Sequence, residues 1–171
     1  MLVIKEYSHL NKFLLVSALA FFVGAVHGML QVMPPIRAWL DSIGSPYGGP
    51  GHMIDPLAHA HLNLVGGVVL LLMGVTFYLL PIVSGKPIYS WRLVNHTFWW
   101  TSLGVFFFYT TLMIFGIWEG VLLLNNDTQG MTAVHKIYSP IIAVAGMVMT
   151  VGFGTYLTNI ALSLKSNPSK P

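Results

Sequence analysis

Four apolar stretches fill most of this chain, each at or beyond the roughly 20 residues that a helix needs to cross a lipid bilayer. Nothing else in the sequence constrains its fold as strongly. A backbone in lipid has no water to bond to, so helices that satisfy their own N–H and C=O groups are the expected spanning element. The expected fold class is therefore all-α, a single polytopic domain of four transmembrane helices at about residues 12–33, 57–81, 95–123 and 132–162. The first span is expected to stop at Pro34-Pro35, and the second to start after Pro56 and stop at Pro81. The third apolar run extends from about Trp91 to Leu124, longer than a span, so it tilts or projects. Composition agrees, with 8% charged residues against about 25% in a soluble domain.

Several classes are excluded. With no cysteine there is no disulfide, zinc–thiolate site, iron–sulfur cluster or covalent c-type haem. The eight Lys/Arg residues form no run, which argues against nucleic acid as a partner. The first apolar segment has no small-x-small cleavage pattern after it and reads as a retained helix. Four spans place both termini on one side, with Lys5, Lys12, Lys86, Arg92, Lys165 and Lys170, while only Arg37 and Lys136 fall on the other. Positive charge marks the cytoplasmic side. The expected localisation is an integral protein of a bacterial inner-membrane type, with cytoplasmic termini and an acidic outer face.

Seven histidines occur, and four carry the functional argument. His27 lies seven residues before Pro34, about 10 Å below the outer end of the first helix. His59 and His61 fall in the first two turns of the second helix, and His135 in the first turn of the fourth. Three helices thus bring ionisable rings to similar depth near one face, and intramembrane ionisable residues are functional candidates by default. His9, His52 and His96 are expected at the water-facing ends and need no special role. Positions 59 and 61 lie about 200° apart around a helix, so the two rings point to opposite faces and cannot share one small ion. Imidazole suits zinc, copper and iron. The apolar, aromatic surroundings favour a flat macrocycle, and haem accepts histidine as an axial ligand. Ala20, Gly24 and Gly28 repeat every four residues, either for close helix packing or to make room for a porphyrin face. Glu119 reads as an outer interfacial charge, and is the one carboxylate suited to a proton path.

Three stretches carry a family resemblance: HAHLNLVGGVVLLLMGVTFYLLP, GKPIYSWRLVNHTFWWTSLGVFFFYTTLMIFGIWEG and VHKIYSPIIAVAGM. In order and spacing, from about Asp55 to Asn159, they resemble the last helices of the catalytic subunit of haem–copper oxidases. The C-type (cbb-type) branch is nearest, with nitric oxide reductases as relatives. The resemblance implies one four-helix arc of a twelve-helix ring. It implies that His59 matches the ligand of the high-spin haem, that His61 matches the ligand of the low-spin haem, and that His135 matches a histidine opening the last helix. The family's Asn-Trp-His-Phe-Trp is here Asn95-His96-Thr97-Phe98-Trp99, so no role passes to His96. The helices that carry the family's copper ligands have no counterpart here, nor does the His-His pair, so no copper is expected.

The expectation is a membrane-integral haem b protein, transferring electrons or binding a diatomic gas such as NO or O2. His61, His59 and His27 are the candidate iron ligands, with His135 near the cofactor. The alternatives are an oxidase-like or nitric oxide reductase-like enzyme module needing a second metal or a partner subunit, and a haem-free structural subunit. Opposed rings on one helix, together with the one-third-ring resemblance, favour a closed homo-oligomer, a trimer first. The bilayer is a further partner, and a quinol or a cytochrome is the class of redox partner.

Overall fold

A computed structural model describes residues 7–166 of the chain; Lys5 and Lys170, used in the orientation count, lie outside the described residues. A 3-10 turn at Ser8–Leu10 leads into α1, Asn11–Val32. Next come α2, Pro34–Ser42, α3, Pro56–Ser84, α4, Trp91–Leu124, and α5, Thr128–Lys165. No strand occurs among the described residues. The helices α1, α3, α4 and α5 are each long and apolar enough to cross a bilayer. The chain is an all-α integral membrane protein with four membrane helices.

Local sequence sets the helix ends. Asp55 caps α3, its Oδ1 accepting from the N–H groups of Leu57 at 2.6 Å and Ala58 at 3.3 Å, with Pro56 at the first helical position, where its missing N–H costs nothing. Asp127 caps α5, accepting from Gly130 N–H at 2.7 Å. At the far end of α3, Gly85 takes the left-handed conformation (φ 64°) and its N–H bonds back to the Pro81 carbonyl.

Three boundaries differ from the sequence expectation. Helix α3 does not stop at Pro81 but runs to Ser84. A transmembrane helix tolerates one lost bond, and the left-handed Gly85 supplies the real stop. The Pro34-Pro35 pair ends α1 and also opens the short helix α2, since proline favours the first turn. Helix α5 begins at Thr128, so His135 lies two turns in rather than in the first turn.

Two helix pairs build the bundle. In α1 against α3, antiparallel contacts keep one register: Phe13 with Gly74, Ala20 with Gly66, Gly24 with Asn63, and Gly28 with His59. The Ala20, Gly24 and Gly28 stripe is filled by side chains of α3, so it serves close packing and leaves no room for a porphyrin face. In α4 against α5, Gly104 lies against Met149 and Gly152 against Thr101, and the Thr97 and Thr155 hydroxyls meet at 3.2 Å. The fully buried Asn159 closes one end of this hairpin. Its amide accepts from Ser90 N–H and donates to Ser90 C=O, both at 3.1 Å. Phe13, Phe77 and Phe98 form an aromatic core away from His27, His59, His61 and His135.

Immediately after His61, residues Leu62–Val69 of α3 wind as a π-helix. Such segments are rare, and they cluster at functional sites. This one turns two consecutive glycines into close contacts, Gly66 against Ala20 and Gly67 against the ring of Phe21.

Candidate functional site

The histidines singled out in the sequence occupy the end of the bundle beside the α1–α3 connection, but in three separate places. His27 and His59 come together, with ring centroids 6.1 Å apart. His61 stands apart on the other side of α3, its ring 4.5 Å from that of Phe108 on α4. His135 faces Glu119 across the α4–α5 hairpin. The opposed directions expected of His59 and His61 are visible in these contacts. Their rings have different neighbours on different helices.

The hydrogen bonds define the chemistry of each ring. The Nδ1 of His61 lies 2.9 Å from the Leu57 carbonyl, one turn back on its own helix. A carbonyl only accepts, so Nδ1 carries the proton and Nε2 keeps its lone pair. The Nδ1 of His59 lies 3.1 Å from the Gly24 carbonyl and 3.0 Å from the Asn63 amide. The Gly24 carbonyl pairs with the Nδ1–H tautomer and the Asn63 Nδ2–H with the tautomer that keeps the Nδ1 lone pair, so the His59 proton has two stations. His61 therefore directs an unprotonated Nε2 away from an Nδ1 held by the backbone. Metal-ligating histidines are held in this way, through the second ring nitrogen.

His27 is only 3% exposed. Its Nδ1 is 3.2 Å from the Tyr109 hydroxyl, and its Nε2 is buried without a hydrogen-bond partner among the described residues. A pocket of about 220 Å³ opens beside it, walled by Phe22, Val26, Leu30, Tyr109 and Met113. An imidazole nitrogen left bare against apolar walls costs free energy on the order of 1–3 kcal/mol unless a ligand completes it.

The third place corrects the reading of Glu119. This carboxylate is buried rather than an exposed interfacial charge, being 3% accessible. It accepts from His135 Nδ1 at 2.9 Å and from the Gly51 N–H at 3.1 Å. It thereby ties the long α2–α3 connection to the α4–α5 hairpin. A signal for the pair was present: Glu119 lies near the end of α4 and His135 two turns into α5, on either side of the short turn at Asn125 and Asn126. Tyr109 and Asn63, which hold His27 and His59, had no such signal. His96 is exposed and takes no part in these groups.

Among the described residues no cluster of three or more His, Asp or Glu side chains is arranged to hold a bare metal ion. A planar group that needs one or two axial nitrogens makes a smaller demand. On its α1 side the His59 ring is closely packed, since a Cβ placed on Gly28 would lie 2.9 Å from its Cε1.

Neither a protein-family model nor a solved structure matches the chain. Three curated proteins do, two of them from Rhodobacter capsulatus and Agrobacterium tumefaciens. The chain is 28% identical over 117 residues to cytochrome c oxidase subunit 1 of Rhodobacter capsulatus, a match covering 59% of this chain and 22% of that protein. It is 29% identical over 75 residues to the cytochrome c oxidase subunit 1 homolog of Agrobacterium tumefaciens (strain T37), covering 43% and 14%. The chain thus matches about a fifth or less of the length of these relatives. It is an integral membrane protein with a distant likeness to cytochrome c oxidase subunit 1.

Proposed function

We propose that this chain is a membrane haem b protein, with His61 as an axial ligand of the iron and the haem against the outward face of α3. It carries electrons or binds a diatomic gas. The observation that carries this reading is the state of His61: its Nδ1 is held by the Leu57 carbonyl, which leaves the Nε2 lone pair for the iron. The likeness to cytochrome c oxidase subunit 1 supports the same class of cofactor.

The donor chemistry fits a haem, while the α1–α3 packing restricts where it fits. Two apolar surfaces are available to a macrocycle, the Phe108 side of α3 at His61 and the pocket beside His27. A second copy of the chain closing over either surface would complete it. His59 or His27 of a neighbouring copy would be the residue to supply a second nitrogen to the iron. This favours a closed ring with one repeated interface, a trimer by analogy with the three arcs of the oxidase fold. Bound haem supplies a one-electron couple and an iron site for small gases. The residues of this chain would fix the ring orientation through Leu57 C=O and keep water out with Phe108. The Lys/Arg bias supports cytoplasmic termini and a haem toward the outer face.

The test is the absorption spectrum of the purified protein, oxidised and reduced. A Soret band with sharpened α and β bands on reduction is expected. A featureless visible spectrum, in protein made with ample haem supply, contradicts the proposal.

A further inference from the structure

A second pocket, of about 290 Å³, lies between the end of α1, the helix α2 and the loop before α3, and it contains polar groups with nothing to bond. We propose that it is a phosphate-binding site at the membrane interface, filled by the headgroup of an anionic phospholipid. The inference stands on residues outside the haem reading and does not depend on it.

Two nitrogens make the case. Arg37 Nε and His52 Nδ1 are both buried, and neither has a hydrogen-bond partner among the described residues. Both residues line this pocket. A guanidinium has donors and no acceptor, so the partner of Arg37 Nε has to be an acceptor. His52 is 4% exposed, and its backbone N–H is already used by the Gly49 carbonyl at 3.2 Å. The Gln31 amide is spent on Ile54 C=O at 3.1 Å.

The nearby carboxylates are also engaged. Asp41 takes Arg37 Nη2 at 3.1 Å and the Tyr47 hydroxyl at 2.9 Å, and Asp55 caps α3. The Arg37 guanidinium is held flat, its Cζ 3.2 Å from the Tyr47 ring centre. A planar fork with Nε still free suits an oxyanion that offers more than one oxygen.

The surroundings identify the source of the phosphate. Val32, Leu40, Ile54 and Pro56 give the pocket apolar walls, and it sits where the span α1 ends. Val32, Trp39 and Tyr47 are exposed around it, and aromatic side chains are typical of the headgroup level. Apolar walls beside a fixed cation suit a phosphate attached to a glyceride better than a fully hydrated ion.

The experiment uses the full-length protein, delipidated in mild detergent and examined by native mass spectrometry. Phosphatidylglycerol, phosphatidylcholine and inorganic phosphate are titrated separately. The proposal expects a phosphatidylglycerol adduct that weakens roughly tenfold in Arg37→Gln and in His52→Leu, the loss expected for one charge-assisted hydrogen bond. Lys136→Gln, which removes the other outer cation, should bind as the parent does. Arg37→Lys keeps the charge but loses the fork, and an intermediate loss there rules out misfolding as the cause. Saturation by inorganic phosphate with the same Arg37 dependence supports the phosphate chemistry and assigns it to the free ion. Adducts that are equal in all variants, or equal for the two lipids, would overturn the site.

Discussion

Glu119 and His135 meet at 2.9 Å across the α4–α5 hairpin, with the carboxylate buried and also holding the Gly51 N–H of the α2–α3 connection. One side chain therefore fastens three segments at the end of the bundle where the candidate haem ligands lie. Gly120 and Gly116 let that connection approach α4 closely, against Gly51 and His52 respectively.

Glu119→Ala is expected to destabilise the fold by about 1–3 kcal/mol, because the Gly51 N–H is then left buried and unpaired. Glu119→Gln keeps an acceptor and should lose less. Reversible denaturation in mild detergent measures both. The connection should also become the first site of proteolysis in Glu119→Ala, before any membrane helix is cut.

Gly28 and Gly146 offer a matched pair of substitutions. A Cβ at Gly28 would lie 2.9 Å from His59 Cε1, whereas one at Gly146 would meet nothing within 4 Å. Gly28→Ala is expected to cost about 1–3 kcal/mol by overpacking and to displace the His59 ring. Gly146→Ala should be neutral or stabilising by up to about 1 kcal/mol through helix propensity. Thermal unfolding of the two variants gives the comparison, and equal behaviour would refute the α1–α3 register.

The sequence made these helices legible, and it also shows where reading it stops. Span existence follows from hydropathy, which depends on composition over a window and is insensitive to local geometry. The opposed faces of His59 and His61 follow from helical pitch alone. What was not legible depends on partners distant in the chain. Glu119 looks like a surface charge until His135 is opposite it, and His52 looks like a loop residue until Gly116 and α2 bury it. The small-residue stripe allowed two meanings until Asn63 and His59 filled it. The π-helical stretch after His61 left no signal that we can identify, because it is a property of winding.

His52 gives a pH signature outside the membrane spans. Burial pushes its imidazole below the ordinary value of 6.5; Asp55 opposes that shift, Arg37 adds to it, and its own backbone opposes it. The other titratable neighbour is His27. Between the folded and unfolded values the unfolded chain holds more protons, so the His52 contribution to stability is complete above about pH 6.5 and declines as pH falls. NMR of labelled histidine in phosphate-free, delipidated protein should show a midpoint below 6.5. A midpoint at or above 6.5 would mean the ring is solvated.

A closed homo-oligomer, a trimer first, is the assembly that the proposed haem reading expects, with a neighbouring copy completing the ligand set of His61. Native mass spectrometry from mild detergent checks it. A monomer that keeps a full complement of haem would defeat the ring while leaving haem binding intact.

Haem content of His61→Ala beside His96→Ala tests the central claim most directly. Pyridine haemochrome analysis of the two purified variants and the parent supplies the numbers. The account predicts about one haem b per chain in the parent, near-complete loss in His61→Ala, where an iron–nitrogen bond is removed, and full retention in His96→Ala. Equal haem in the two variants, or none in the parent, would contradict it.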